Sequence, residues 1–166
     1  MILIAYDGSD DAKAAIQQGA ALMPGQAATV VTVWEPYLEI VTRYPAAVSL
    51  IAGEDSQEID DASRTAAEQS AEEGAALART HGLEAEGHAV ARQQSVVDTL
   101  LGEANAVDAG AILVGSRGLG GLGSLLLGSV SHALLQNADR PVIIVPSPTV
   151  AKKRDEKRRS HSESGD

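Results

Sequence analysis

The chain of 166 residues has no cysteine, no phenylalanine and a single tryptophan, Trp34. The first absence removes disulfides, thiolate zinc sites and thiol catalysis together. Without phenylalanine, a core must be built from Val, Ile, Leu and Ala in closely apposed elements, which favours helices lying tight on a sheet. Hydrophobic residues make up 44% of the chain, enough for one compact domain with a sizeable core. Basic charge is also scarce. Six of the 13 Lys and Arg residues lie beyond Val150 with four of the 23 acidic ones, so residues 1–150 carry −12 within a chain total of −10. A body this acidic repels polyanions, and no groove for DNA or RNA is expected on it, because such affinity rests on Lys and Arg at phosphates. The opening MILIAYDGS lacks a basic segment followed by a long apolar stretch, so no secretory signal is read and a cytoplasmic protein is expected. The apolar stretch from Leu119 to Leu135 is too rich in glycine and serine for a membrane span.

Glycine, by contrast, is concentrated. GSRGLGGLGSLLLGSVS, Gly115 to Ser131, has six glycines in its first fourteen residues. Such a cluster points to positive φ angles or to close approach of the backbone to another group.

Around it, strand and helix patterns alternate. Ile2 to Tyr6 is a short apolar run that ends at Asp-Gly-Ser, and Ser9 can cap a helix with Asp10 and Asp11 in its first turn. That helix carries Ala12, Ile16, Gly19 and Ala20 at helical spacing and ends near Met23-Pro24-Gly25. Ala28 to Trp34, rich in Val and Thr, reads as a second strand. Residues 35–58, with Pro36, Pro45 and Gly53, lack clean periodicity and suit a lid or binding loop, with room for a short helix. Ile59 to Thr80 reads as a helix with Ala67, Ala71, Ala75 and Ala78 on one side and an acidic outer face. Glu84 to Ala91 alternates like an exposed edge strand, and Val96, Leu100, Ala104 and Val107 mark another helix. Ala111 to Val114, a helix reaching about Asn137, and Val142 to Val145 complete five strands and four helices.

This alternation predicts an α/β domain with a doubly wound five-stranded parallel sheet and helices on both faces. ILIA, AILV and VIIV are apolar at successive positions, as strands buried on both faces require. The strand order 3-2-1-4-5 puts the topological switch point between strands 1 and 4, where ligands sit outside the carboxyl ends. Asp7 and Gly115 would face each other there.

Three glycine patterns can be tried on the stretch. Gly123 to Ser129, GSLLLGS, lacks the lysine of a phosphate-binding Walker loop. Gly118, Gly120 and Gly123 spell GxGxxG, but no acidic residue follows at the end of a second strand. The third pattern is longer: Gly115, two residues, Gly118, nine residues, Gly128, Ser129, with Ser131 two further on. In this spacing, in the opening ILIAYDGSDDAKAAI, in DAGAILVGSRG and in LLLGSVSHALLQNADRPVIIVP, the chain resembles the nucleotide-binding universal stress protein family.

The resemblance covers residues 1–147 and implies the adenine nucleotide alpha-hydrolase-like fold. It also implies that Asp7 holds ribose hydroxyls and that Val33 meets the adenine through its backbone. Gly115, Gly118, Gly128, Ser129, Val130 and Ser131 would then surround ribose and phosphates. Physical chemistry agrees, since bare glycine backbone and free N–H groups at a helix start bind phosphate without a lysine cluster. Arg117 is the sole cation of the loop. The ligand that the resemblance implies is ATP, ADP, AMP or a cyclic nucleotide, with Mg2+ compatible because the ion leans on the phosphates. Neither a catalytic residue nor a protein metal site is assigned. His81, His88, His132 and His161 form no metal constellation, and His132 near the phosphates suits a surface or packing role.

An open apolar edge along Val142 to Val145 invites pairing with a second copy, the symmetric dimer that the resemblance also implies. The function expected is an adenine-nucleotide-dependent stress or signalling protein. A dimeric interaction module that binds no nucleotide and a slow ATP hydrolase stand as alternatives. Residues 148–166, with their mixed charge, are expected to be a disordered tail.

Overall fold

A computed structural model of the chain describes residues 1–43, 56–119 and 127–163. The runs of successive apolar residues form strands covered on both faces: Leu3, Ile4, Val30, Ile112 and Leu113 are completely buried. Strands β1 (Ile2–Ala5), β2 (Ala27–Trp34), β3 (Glu84–Ala91), β4 (Ala111–Gly115) and β5 (Val142–Val145) form one parallel sheet in the order β3-β2-β1-β4-β5. This is the predicted order.

Helices cover the sheet on both sides. On one face, α1 (Asp10–Leu22) and α3 (Ser56–Thr80) bring Ala15, Ile16, Ala75 and Ala78 onto Ile2, Ile4, Val30 and Leu113. The alanine stripe of α3 is buried as its spacing predicts, and small side chains let the helix lie close to β2 and β3. On the other face, α4 (Val96–Ala106) and α5 (Ser129–Asn137) place Leu100, Ala104 and Leu134 against Leu3, Val31, Ile112 and Val114. Each fully buried Leu or Ile contributes about 1.5–3 kcal/mol relative to exposure. Ser9 caps α1 by accepting from the Ala12 N–H at 3.2 Å, and Ser95 caps α4 through the Asp98 N–H at 3.0 Å.

Three features fill in or depart from the expected pattern, the first a short helix for which residues 35–58 left room. The connection after β2 opens with a short helix, α2 (Tyr37–Arg43), whose first N–H donates to Asp60 Oδ1 at 2.6 Å. Pro45 and Gly53 lie outside the described residues. The last crossover helix starts at Ser129, with Gly128 in extended conformation as its N-cap. The third difference corrects the disordered tail, because residues Pro148–Glu163 form a helix, α6. Its start is fixed by Ser147, whose Oγ accepts from the Val150 N–H at 3.4 Å and whose carbonyl accepts from Ala151 at 2.9 Å. Pro148 suits the first helical position, Val150 is buried, and Asp155 pairs with Arg159 one turn on at 2.9 Å. Among the described residues, no helix is long and apolar enough to cross a membrane.

Candidate functional site

The site begins where β1 stops. Its register with β2 ends at Ala5 opposite Val31, and with β4 at Ala5 opposite Val114. Both neighbours run on, β2 to Trp34 and β4 to Gly115. The Tyr6 N–H still donates to the Val31 carbonyl at 2.9 Å, so odd-numbered residues of β2 turn their backbone groups toward β1. By the same alternation, Val33 directs its N–H and C=O into the space that β1 has vacated. On β4, Ile112 and Ser116 donate to β5, which leaves Gly115 facing that space from the opposite side.

The result is a crevice of about 470 Å³, within the usual range of small-molecule sites. All nine predicted residues line it: Asp7, Val33, Gly115, Arg117, Gly118, Gly128, Ser129, Val130 and Ser131. One end is apolar, with Val33, Val96, Leu100 and Val114. The other consists of the loop after β4 and the start of α5. Val96 and Leu100 were legible only as core positions of an amphipathic helix, and nothing in their pattern marks them as crevice walls. Tyr6 lines one side. Burial first, and then the Glu73 carboxylate that accepts its hydroxyl at 3.0 Å, push its phenol well above the ordinary range, so it stays neutral.

Asp7 sits at the mouth, exposed, with Oδ1 accepting from Ser9 N–H at 3.1 Å and Oδ2 from Leu119 N–H at 3.2 Å. It thus ties the turn after β1 to the loop after β4. A Cβ on Gly118 would lie 2.5 Å from Asp7 Oδ2, so any larger residue would make the exposed carboxylate swing aside. Gly115 has a comparable reason. A Cβ there would meet the Asp11 carbonyl carbon at 2.6 Å and its oxygen at 2.8 Å. Both glycines therefore let chain segments touch each other, a reason that the expectation of bare backbone under a ligand did not include.

The start of α5 is open to an anion. Gly128 provides no side-chain cap, so the first N–H groups of the helix are left to the crevice. Gly128 itself is held by its N–H on the Ser116 carbonyl at 2.8 Å. Ser129 is exposed at the mouth. Ser131 has no hydroxyl proton to offer a ligand: it is buried, and its Oγ lies 3.1 Å from the Ser116 carbonyl and 3.0 Å from that of Gly128, which take its one proton. Its place in the site is through backbone and as a strut. His132 is exposed and does not line the crevice.

Beneath the loop lies a group that the sequence pattern did not single out. Asp11, 5% exposed, accepts from Ser116 Oγ at 2.6 Å. Arg117 Nε lies 3.8 Å away, and its side chain is largely buried rather than a solvated loop cation. Burial pushes the Asp11 carboxyl up, but the Ser116 hydrogen bond, the polar groups of nearby Ser147 and the Arg117 charge outweigh it and hold it below its usual value. Among the described residues, no group of three or more His, Asp or Glu could hold a metal ion.

Comparison with known proteins gives one answer at several levels. The family model of the universal stress protein family matches residues 1–146. A universal stress protein of Mycolicibacterium smegmatis is 34% identical over 147 residues, 87% of this chain and 47% of that protein. One from Thermus aquaticus is 32% identical over 146 residues, 87% of this chain and 96% of that protein. The chain thus spans about half the length of the first relative and nearly all of the second. The universal stress protein structure from Archaeoglobus fulgidus superposes with a TM-score of 0.60 at 25% identity, covering 87% of this chain and 91% of that one. Family members solved with dAMP, with cAMP and with AMP share the fold at TM-scores of 0.57, 0.54 and 0.54 and identities of 23, 22 and 17%. They cover 87, 88 and 87% of this chain, and it covers 95, 95 and 90% of theirs. On the extent of the family match and the identity to the Thermus aquaticus relative, this chain belongs to the universal stress protein family.

Proposed function

We propose that this chain binds an adenine nucleotide in the crevice between β1 and β4 and works by binding rather than turnover, as a stress-response or signalling dimer. The observation that carries the reading is the convergence of all nine residues on one crevice whose two ends differ in chemistry. At the apolar end, a base would lie among Val33, Val96 and Leu100, with its polar edge on the backbone groups of Val33. Asp7 stands where ribose hydroxyls would need an acceptor. The uncapped start of α5 and Arg117 would receive the phosphates. Relatives solved with dAMP, cAMP and AMP support an adenine nucleotide as the ligand. ATP with Mg2+ fits the same arrangement, with the ion carried by the phosphates and few protein oxygens needed. Differential affinity for nucleotide states would bias the loop after β4 and so the surface offered to a partner.

The test is to purify the protein without added nucleotide, denature it and identify the released small molecule by mass spectrometry. A Gly118→Val, Ser129→Ala variant is treated in parallel. Adenine nucleotide in near one-to-one yield from the wild type and none from the variant is the expected result. A ligand of low affinity washes off, so calorimetric titration with AMP, ADP and MgATP accompanies it. No binding at millimolar nucleotide would end this reading in favour of the interaction module. Phosphate release sustained above about 1 s⁻¹ under Mg2+ would instead mark a dedicated hydrolase.

A further inference from the structure

Helix α6 lies beyond the residues that the family model matches, and it takes no part in the crevice. Burial of Val150 docks its first turn, and after that residue the helix contains one apolar side chain, Ala151. Six of the chain's 13 basic residues stand in the eight positions from Lys152 to Arg159, KKRDEKRR, which carry +4 in a chain whose total is −10. The two acids of that run are engaged within the helix, Glu156 with Lys152 at 4.0 Å and Asp155 with Arg158 at 3.3 Å and Arg159 at 2.9 Å. The side chains of Lys152, Arg158 and Arg159 nevertheless stay 80, 78 and 77% exposed, and Lys153 is exposed beside them. The scarce basic charge of an acidic molecule is therefore gathered on one helix and turned to solvent.

We propose that α6 is a docking helix for duplex DNA, held through contacts to the phosphate backbone. A helix without an apolar face has nothing to sink into a lipid interface or into the hydrophobic groove of a protein, because both modes bury apolar area on one side of the helix. What α6 offers is ammonium charge and guanidinium forks, which phosphate oxygens match. It carries no Phe, Tyr or Trp on which the bases of a single strand could stack. Duplex DNA presents one negative charge per about 1.7 Å of its axis and a major groove that admits an α-helix. The acidic body does not forbid the contact. Arg158 and Arg159 lie about 12–14 Å along the helix from the docked Val150, and charges more than about 8 Å apart are largely screened at physiological ionic strength. The same acidic body holds itself away from the duplex, so α6 alone carries the contact. The proposal is independent of what the crevice binds.

The experiment titrates the full chain onto a fluorescently labelled DNA duplex of about 20 base pairs at roughly 50, 100 and 200 mM salt, with anisotropy as the readout. The expected dissociation constant at the lowest salt is on the order of 1–100 μM, as for backbone contacts without base readout. Neutralising Lys153→Gln, Arg154→Gln and Arg158→Gln together removes three phosphate contacts. Affinity then falls at least about tenfold at low salt, and the slope of log affinity against log salt becomes shallower by about 2.7. Exchanging the same residues with charge kept, Lys153→Arg, Arg154→Lys and Arg158→Lys, retains binding, which separates loss of charge from loss of helix. Arg64→Gln, which removes an exposed cation from α3, leaves affinity within about twofold. A single strand of the same sequence binds more weakly than the duplex. Four results would each overturn the proposal: no binding at about 0.1 mM protein and the lowest salt, an unchanged slope in the neutralised variant, equal or tighter binding of the single strand, or capture by phosphatidylglycerol vesicles with none by DNA.

Discussion

Two aspartates four positions apart in one turn-and-helix segment have opposite environments. Asp7 is exposed at the crevice mouth and accepts from the backbone N–H groups of Ser9 and Leu119, whereas Asp11 is buried and accepts from the Ser116 hydroxyl with the Arg117 guanidinium nearby. The first was legible as a site residue because it ends a strand at Asp-Gly-Ser. The second read as an ordinary acid in a helix's first turn, since its partner Ser116 lies 105 residues away and no local pattern announces such a pairing. A pH dependence follows from its charge. With its folded value below the ordinary 3.8, Asp11 binds a proton less readily in the native than in the unfolded state. Its contribution to stability is therefore full above about pH 3.8 and is lost as the pH falls through the lower, folded value. Urea midpoints of wild type and Asp11→Asn should differ in favour of wild type at pH 7, and the gap should shrink toward pH 3. A gap that stays constant would mean that the carboxylate is not preferentially ionised in the fold.

At the scale of elements, periodicity carried most of the information. All five strands lie where alternation or continuous apolar runs put them, because burial on one or both faces dictates residue type at every position. The elements that periodicity did not specify depend on other forces. Helix α2 is set by the Pro36 carbonyl, which accepts from Glu39 and Ile40 N–H groups, and by Arg43 on Glu35 at 2.6 Å, not by an apolar face. Helix α6 has the composition of a solvated tail and is anchored by two residues, Ser147 and Val150. The glycine spacing was read correctly as a crevice lining, but its steric cause is specific to the fold. At Gly115 the neighbour is the backbone of α1, which cannot rotate away as a side chain can. Gly115→Ala should therefore destabilise the protein by about 1–3 kcal/mol, as overpacking does. The readout is the shift in urea midpoint at constant m-value, and a change under about 0.5 kcal/mol would show that α1 yields without strain.

For the whole molecule, the open question is what meets the outer side of β5. This strand ends the sheet, with Val142, Ile143 and Ile144 half-buried and no strand beyond it among the described residues. The Pro141 and Val145 carbonyls accept from β4, so alternation turns the backbone groups of Val142 and Ile144 outward. A second copy in antiparallel register would satisfy them around a two-fold axis. Ile144→Pro removes one outward donor and leaves the ladder with β4 intact. It should raise the dimer dissociation constant at least about tenfold in analytical ultracentrifugation, while the sheet's circular dichroism is retained. A wild type that sediments as a monomer would remove the dimer from the proposed function.

The brevity of β1 has a further consequence. Four residues long beside a neighbour of eight, it leaves Val33 and Gly115 facing a gap in the middle of the sheet, and a bound nucleotide would stand in for the missing strand end. A loaded copy then gains stability that an empty copy lacks, in proportion to the logarithm of ligand concentration. Empty copies would open more often and be degraded sooner. The amount of this protein in a cell would thus follow the supply of its ligand, with no change in how fast it is made.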